Sequence, residues 1–182
     1  MKSRNTERDD VDELVISEAV KALAEMDKTF KSHLGGTYKG SVQNLVSILN
    51  PHVANWLKAK TNVLKKNLKK IEGIKCYNTT DCRAGENKIL WVEAAHPLDA
   101  SRPQVIKAVV KDYLKRGGNG CDIGEVFKEV KSRHETLKFA FLCRWCHKEH
   151  DKLSDNSYVA RTFKEWADYA ATLEKKKRRG GH

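Results

Sequence analysis

The sequence predicts an α+β fold, and three observations carry that prediction. Apolar residues recur at helical spacing through the first third of the chain and again near its end. Between them lie two short segments that suit strands: Lys88–Glu93 by its aromatic and β-branched content, and Leu137–Leu142 by its apolar content. One cysteine pair precedes the first of these strands, and a second pair follows the other. With 182 residues, the chain is long enough to bury a core in one or two domains.

The elements follow in order. Leu14, Val15, Ala19, Ala22, Leu23, Met26 and Phe30 form one helical stripe opposite Asp12, Glu18, Lys21 and Glu25, with Gly35–Gly36 as its stop. A second apolar cluster, Val42, Leu45, Val46 and Leu49, is expected to end at Asn50–Pro51, because proline lacks the N–H that a continuing helix needs. A third helix is expected from about His52 to Lys70, burying Val53, Leu57, Val63, Leu64 and Leu68. Turn-rich loops at Cys76–Cys82 and Arg83–Asn87 lead into the Lys88–Glu93 strand. Pro103–Lys115 is an amphipathic helix through Val105, Ile106, Val109, Val110 and Tyr113, closed by Gly117–Gly118. A short helix around Val126, Phe127 and Val130 precedes the Leu137–Leu142 strand, and a last helix is expected over Tyr158–Leu173. Residues 175–182 read as a solvated basic tail. The chain therefore divides into a helical N-terminal arm (1–72), a cysteine-containing core with a C-terminal helix (73–174) and the tail.

Charge is the first functional signal. Lys and Arg number 35 against 24 Asp and Glu, a formal net charge of +11. Such an excess attracts polyanions, of which nucleic acid is the common one. Lys58, Lys60, Lys65, Lys66, Lys69 and Lys70 crowd the third helix without an acidic neighbour on it, and they are expected to contact phosphate. No stretch is apolar enough to span a bilayer, and the charged start lacks the apolar run of a secretory signal, so a cytoplasmic protein of the cell or host is expected.

In that reducing compartment five cysteines point to metal ligation rather than disulfides. Cys143-x-x-Cys146 has the spacing that lets two thiolates share one tetrahedral cation. Cys76 and Cys82 flank the turn formers Asn78, Thr79, Thr80 and Asp81, which can bring two more sulfurs to the same point. Soft thiolates in a closed tetrahedron suit a structural zinc. Cys121 is left over as a small buried residue.

The order of features then becomes informative: a cysteine pair, a strand ending in Glu93-Ala-Ala-His96, a long insert, an apolar strand, and Leu142-Cys-Arg-Trp-Cys-His147 entering a helix that carries His150. This order resembles the HNH endonucleases over about residues 74–152, most specifically in the Leu142–His147 segment. The resemblance implies a zinc-stabilised ββα-metal core with an inserted helix, in which Cys76, Cys82, Cys143 and Cys146 hold zinc. It implies that His96 is the general base and that His147 or His150 binds a catalytic Mg2+ or Mn2+. It further implies hydrolysis of nucleic-acid phosphodiester bonds, DNA first, by an enzyme type frequent in phages and mobile elements. The chain departs from the family pattern at Ala95, where an acid or histidine often precedes the base, and at Lys138, the usual position of the middle asparagine. The alternative reading is a non-catalytic zinc-binding nucleic-acid protein on the same core.

Overall fold

The computed structural model describes residues 36–79, 82, 84, 91–97, 100–117, 120–149 and 158–179. The helix expected over Leu14–Phe30 and the candidate ligand His150 lie outside the described residues. The remainder is α+β, as the sequence predicts: β1 (Thr37–Tyr38), α1 (Val42–Glu72), β2 (Glu93–Ala95), α2 (Arg102–Gly117), β3 (Cys121–Asp122), α3 (Ile123–Thr136), β4 (Ala140–Leu142), α4 (Arg144–Glu149) and α5 (Phe163–Arg179).

The expected break at Pro51 does not occur. α1 runs unbroken for 31 residues with Pro51 inside it. A proline within a helix costs about 3 kcal/mol. Here the buried stripe continues across it, from Leu45, Val46 and Leu49 to Val53, Trp56 and Leu57. Each such side chain gains roughly 1.5–3 kcal/mol on burial, so packing outweighs the missing bond. Ser41 caps the start by accepting from the Asn44 N–H at 3.2 Å. Gly73 ends the helix at φ 82°, a left-handed conformation that favours glycine, with its N–H on the Lys69 carbonyl at 3.0 Å.

The described part of residues 1–72 packs into the core. Leu45, Leu49, Val53, Trp56, Leu64 and Leu68 of α1 share one apolar cluster with Ile106, Val109 and Val110 of α2, Val126 and Val130 of α3, and Phe163 and Trp166 of α5. Trp166 is fully buried, and its indole N–H donates to the Phe139 carbonyl at 2.9 Å.

Two small antiparallel sheets complete the frame. β1 pairs with β3, Tyr38 opposite Cys121, which is buried as expected. β2 pairs with β4 in the register Glu93↔Leu142, Ala94↔Phe141, Ala95↔Ala140. Of the strand expected over Lys88–Glu93, residues 88–90 lie outside the described residues, and Trp91 and Val92 precede β2, which starts at Glu93.

The last helix also starts later than expected. Residues 158–162 are extended, bridging Asn78 through Tyr158 and Phe139 through Arg161. A capping box then opens α5: the Glu165 N–H reaches Thr162 Oγ1 at 3.2 Å, and the Thr162 N–H reaches Glu165 Oε2 at 2.7 Å. At its other end α5 absorbs most of the expected basic tail. Lys177 Nζ lies 3.4 Å from the Lys70 carbonyl, joining the basic ends of α1 and α5. Cations in a last turn favour the helix dipole, which supports this extension.

Candidate metal centre and the face beside it

Cys76 follows the turn at Gly73 on a segment fixed from both sides. Tyr77 donates its N–H to the Phe141 carbonyl and accepts at its own carbonyl from Val159, both at 2.9 Å. These bonds lay Cys76 beside Cys143, at the end of β4, while the first turn of α4 brings Cys146 back to the same point. Cys82 closes the group from the intervening loop.

The four Sγ atoms lie within 4.8 Å of one another. The Cys82 and Cys143 sulfurs are 3.7 Å apart. Four thiolates at about 2.3 Å from a tetrahedral zinc stand about 3.8 Å from each other, so the arrangement fits that ion. The neighbours agree. Asn78 Nδ2 donates to Cys146 Sγ at 3.2 Å and the Cys143 N–H donates to Cys76 Sγ at 3.3 Å, bonds that suit sulfurs carrying negative charge. Ala84, Ala95 and Ala140 pack around the sulfurs and leave room for them.

The thiols differ in acidity. Burial pushes Cys76 strongly upward and lifts Cys146 to about 11. Burial penalises Cys143 too, but hydrogen bonds from Cys146, Cys82 and Cys76 outweigh it and hold this thiol below its ordinary value. A bound cation would draw the protons off the thiols it engages.

On the outer side of this unit, β2, β4 and α4 form a ββα arrangement. His147 Nδ1 meets Glu93 Oε2 at 2.5 Å, and both side chains are partly exposed. Glu93 is a residue the sequence reading passes over, although it stands two positions before Ala95 on the same strand face. Ala95 itself, 1% exposed, turns into the cysteine cluster and offers no ligand.

His96 is placed differently from His147. Strand alternation puts it with Ala94 on the opposite face from Glu93. Its ring lies 5.4 Å from Phe139 and 6.1 Å from His134, centroid to centroid. The hairpin thus does not gather His96 and His147 at one point. His134 is fully buried with Nδ1 2.8 Å from the Val130 carbonyl, and burial holds its pKa below the usual value.

The lysines of α1 separate into two kinds. Lys60 pairs with Glu135 of α3 and sits over the Trp56 ring at 5.2 Å, so its ammonium is engaged within the fold. Lys58, Lys66, Lys69 and Lys70 are exposed and Lys65 is half-buried. Burial lowers the pKa of Lys65, opposed by the charge of Glu93, which brings this basic stripe within electrostatic reach of the Glu93–His147 pair.

Comparison with protein-family models, with curated proteins and with solved structures finds no match. Among the described residues no helix is long and apolar enough to cross a membrane.

Proposed function

We propose that the chain is a metal-dependent HNH-type endonuclease that hydrolyses nucleic-acid phosphodiester bonds and uses a structural zinc on Cys76, Cys82, Cys143 and Cys146. One observation carries this reading: the Glu93–His147 contact at the exposed edge of a ββα unit, on the same side of the β2–β4 hairpin as four converging thiols. An imidazole whose ring a carboxylate orients can serve as one ligand of Mg2+ or Mn2+ through its other nitrogen. Such an ion stabilises the charge that develops on the phosphate and the leaving oxygen. Glu93 fixes the His147 ring through Nδ1 and leaves Nε2 for the cation or the phosphate. The lysines of α1 hold the backbone without reading sequence. His96, the base expected from the sequence, lies across the hairpin from this pair and packs on Phe139; its role as base is what the His96→Ala variant tests.

A second reading, a zinc-stapled nucleic-acid-binding protein without cleavage, is favoured by the packing of His96 on Phe139 and by the alanine at position 95. A plasmid-nicking assay with Mg2+ or Mn2+ separates the two, provided zinc content is measured alongside. Nicking that disappears with EDTA while zinc stays bound supports the enzyme. Retention of DNA without nicking at either cation supports the second reading.

A further inference from the structure

Beside the Glu93–His147 pair, between the C-terminal half of α1 and the start of β2, lies a cleft of about 170 Å³. Its floor is apolar, formed by Leu68, Val92 and Phe141, and Trp91 stands at its side with 51% of its surface exposed. The charged residues lining it are all lysines: Lys65, Lys66, Lys69 and Lys75. Lys75 is 3.9 Å from Glu72, whereas no carboxylate among the described residues is found at ion-pair distance from Lys65, Lys66 or Lys69.

An exposed indole costs solubility, and a half-buried lysine costs desolvation, which lowers the pKa of Lys65 here. Both line the cleft beside core residues and leave part of their surface to solvent. Together they match one ligand chemistry, a flat aromatic ring tethered to anions. The volume is below the roughly 300–1,000 Å³ of sites for drug-sized molecules, and so suits one ring system rather than a whole cofactor.

We propose that this cleft docks an unpaired nucleotide, its base stacked on Trp91 and its flanking phosphates held by Lys65, Lys66 and Lys69. The proposal rests on the nucleic-acid reading above and deepens it, because a base inside a duplex has no free face to offer. Binding therefore favours single strands and unpaired bases over intact duplex. Stacking on an aromatic tolerates any base and either sugar, so the site selects strandedness and not sequence.

The test uses the full chain, with binding read by anisotropy on three probes: oligo-dT and oligo-rU of about fifteen nucleotides, and a blunt duplex of the same length. Trp91→Ala should weaken single-strand binding about 5- to 150-fold, the range expected for one stacked base, and leave duplex binding within about twofold. Trp91→Phe should retain most of the affinity, which a merely structural loss would not predict. In a Trp145→Phe background, which removes the other exposed indole, single strands should quench tryptophan emission, and Trp91→Ala should abolish that quenching. Unchanged single-strand affinity in a folded Trp91→Ala protein that still binds duplex overturns the stacking site and leaves the nucleic-acid reading standing. Failure of the wild-type chain to bind any probe overturns both.

Discussion

Glu93 of β2 and His147 of α4 meet at 2.5 Å across 54 positions of sequence. The contact exists because β2 and β4 pair in the register Glu93↔Leu142 and the chain turns into α4 directly after β4. It ties an exposed carboxylate to the same short helix that carries Cys146, so the thiol cluster and the outer face share one support. As an exposed pair it contributes no more than about 1 kcal/mol to stability. Glu93→Gln should therefore melt within a few degrees of wild type and keep its zinc. In the nuclease reading it should lose about 10- to 100-fold in cation-dependent cleavage, the usual effect of losing a carboxylate that orients a ligating imidazole. Equal nicking rates for Glu93→Gln and wild type would remove the pair from the site.

The thiol cluster makes a sharper demand. Elemental analysis should find one zinc per chain, and Cys143→Ser or Cys146→Ser should lose it together with most of the ββα unit. Structural zinc supplies on the order of 10 kcal/mol of folding free energy in small domains. Cys121→Ser is the control, since that thiol belongs to the β1–β3 pair on the other cluster. It should keep the metal, and a zinc content that falls in all three variants would point to general unfolding instead.

Much of this is legible in the sequence, and the reasons for the misses are physical. The cysteine pairs and the strand running into Cys143 are signals of spacing and composition, which survive without tertiary knowledge. The helix over Arg102–Gly117 is equally plain from its apolar stripe. Pro51 misleads because its local cost is visible in sequence, while the packing of Leu49 and Val53 that offsets it is not. Thr162-x-x-Glu165 is readable as a capping box, yet Val159, spaced with Phe163, Trp166 and Ala170, hides it by imitating an earlier helix start. The proposed roles of Glu93 and Trp91 are invisible in the sequence, since only the β2–β4 register and the position of α1 give these residues their neighbours.

The basic stripe predicts a salt effect. Replacing Lys65, Lys66, Lys69 and Lys70 with glutamine should weaken DNA binding alike across sequences. Each phosphate that a lysine no longer neutralises should reduce the log–log salt slope by about 0.9 on a duplex. Lys60→Gln should not change the slope, because its ammonium is engaged by Glu135 and the Trp56 ring. A slope that responds to Lys60 and not to the other four would reverse the assignment.

His134 predicts a pH effect on stability. Burial, chiefly, and the charge of Arg102 hold its folded-state pKa below 6.5, while the Val130 carbonyl opposes them. The unfolded chain therefore takes up a proton that the folded chain resists. Stability from this group is complete above about pH 6.5 and falls as the pH drops from there through the lower, folded value. Denaturant midpoints should decline between about pH 7 and 5, and His134→Phe should flatten the decline. An identical profile for the variant would assign the loss to other groups.

His96 divides the two functional readings. Its ring packs against Phe139 at the end of β2, on the far side of the hairpin from Glu93. If it serves as the base, His96→Ala should keep zinc content and DNA affinity, because the thiols organise the unit and the lysines bind phosphate. Cleavage should then fall about 100- to 10,000-fold, the range for a positioned proton acceptor. His147→Ala should also stop cleavage, but by weakening the cation site, so excess Mn2+ should restore part of it. No cation replaces a missing proton acceptor, so His96→Ala should stay inactive at any Mn2+ concentration. Truncating a ring that packs on Phe139 also removes apolar packing, so the melting temperature is the accompanying control. A His96→Ala protein that cuts at the wild-type rate makes His96 a packing residue and moves the base elsewhere. If wild type and variant both bind DNA and zinc and neither cuts, the non-catalytic reading holds, and His96 serves the core through its stack on Phe139.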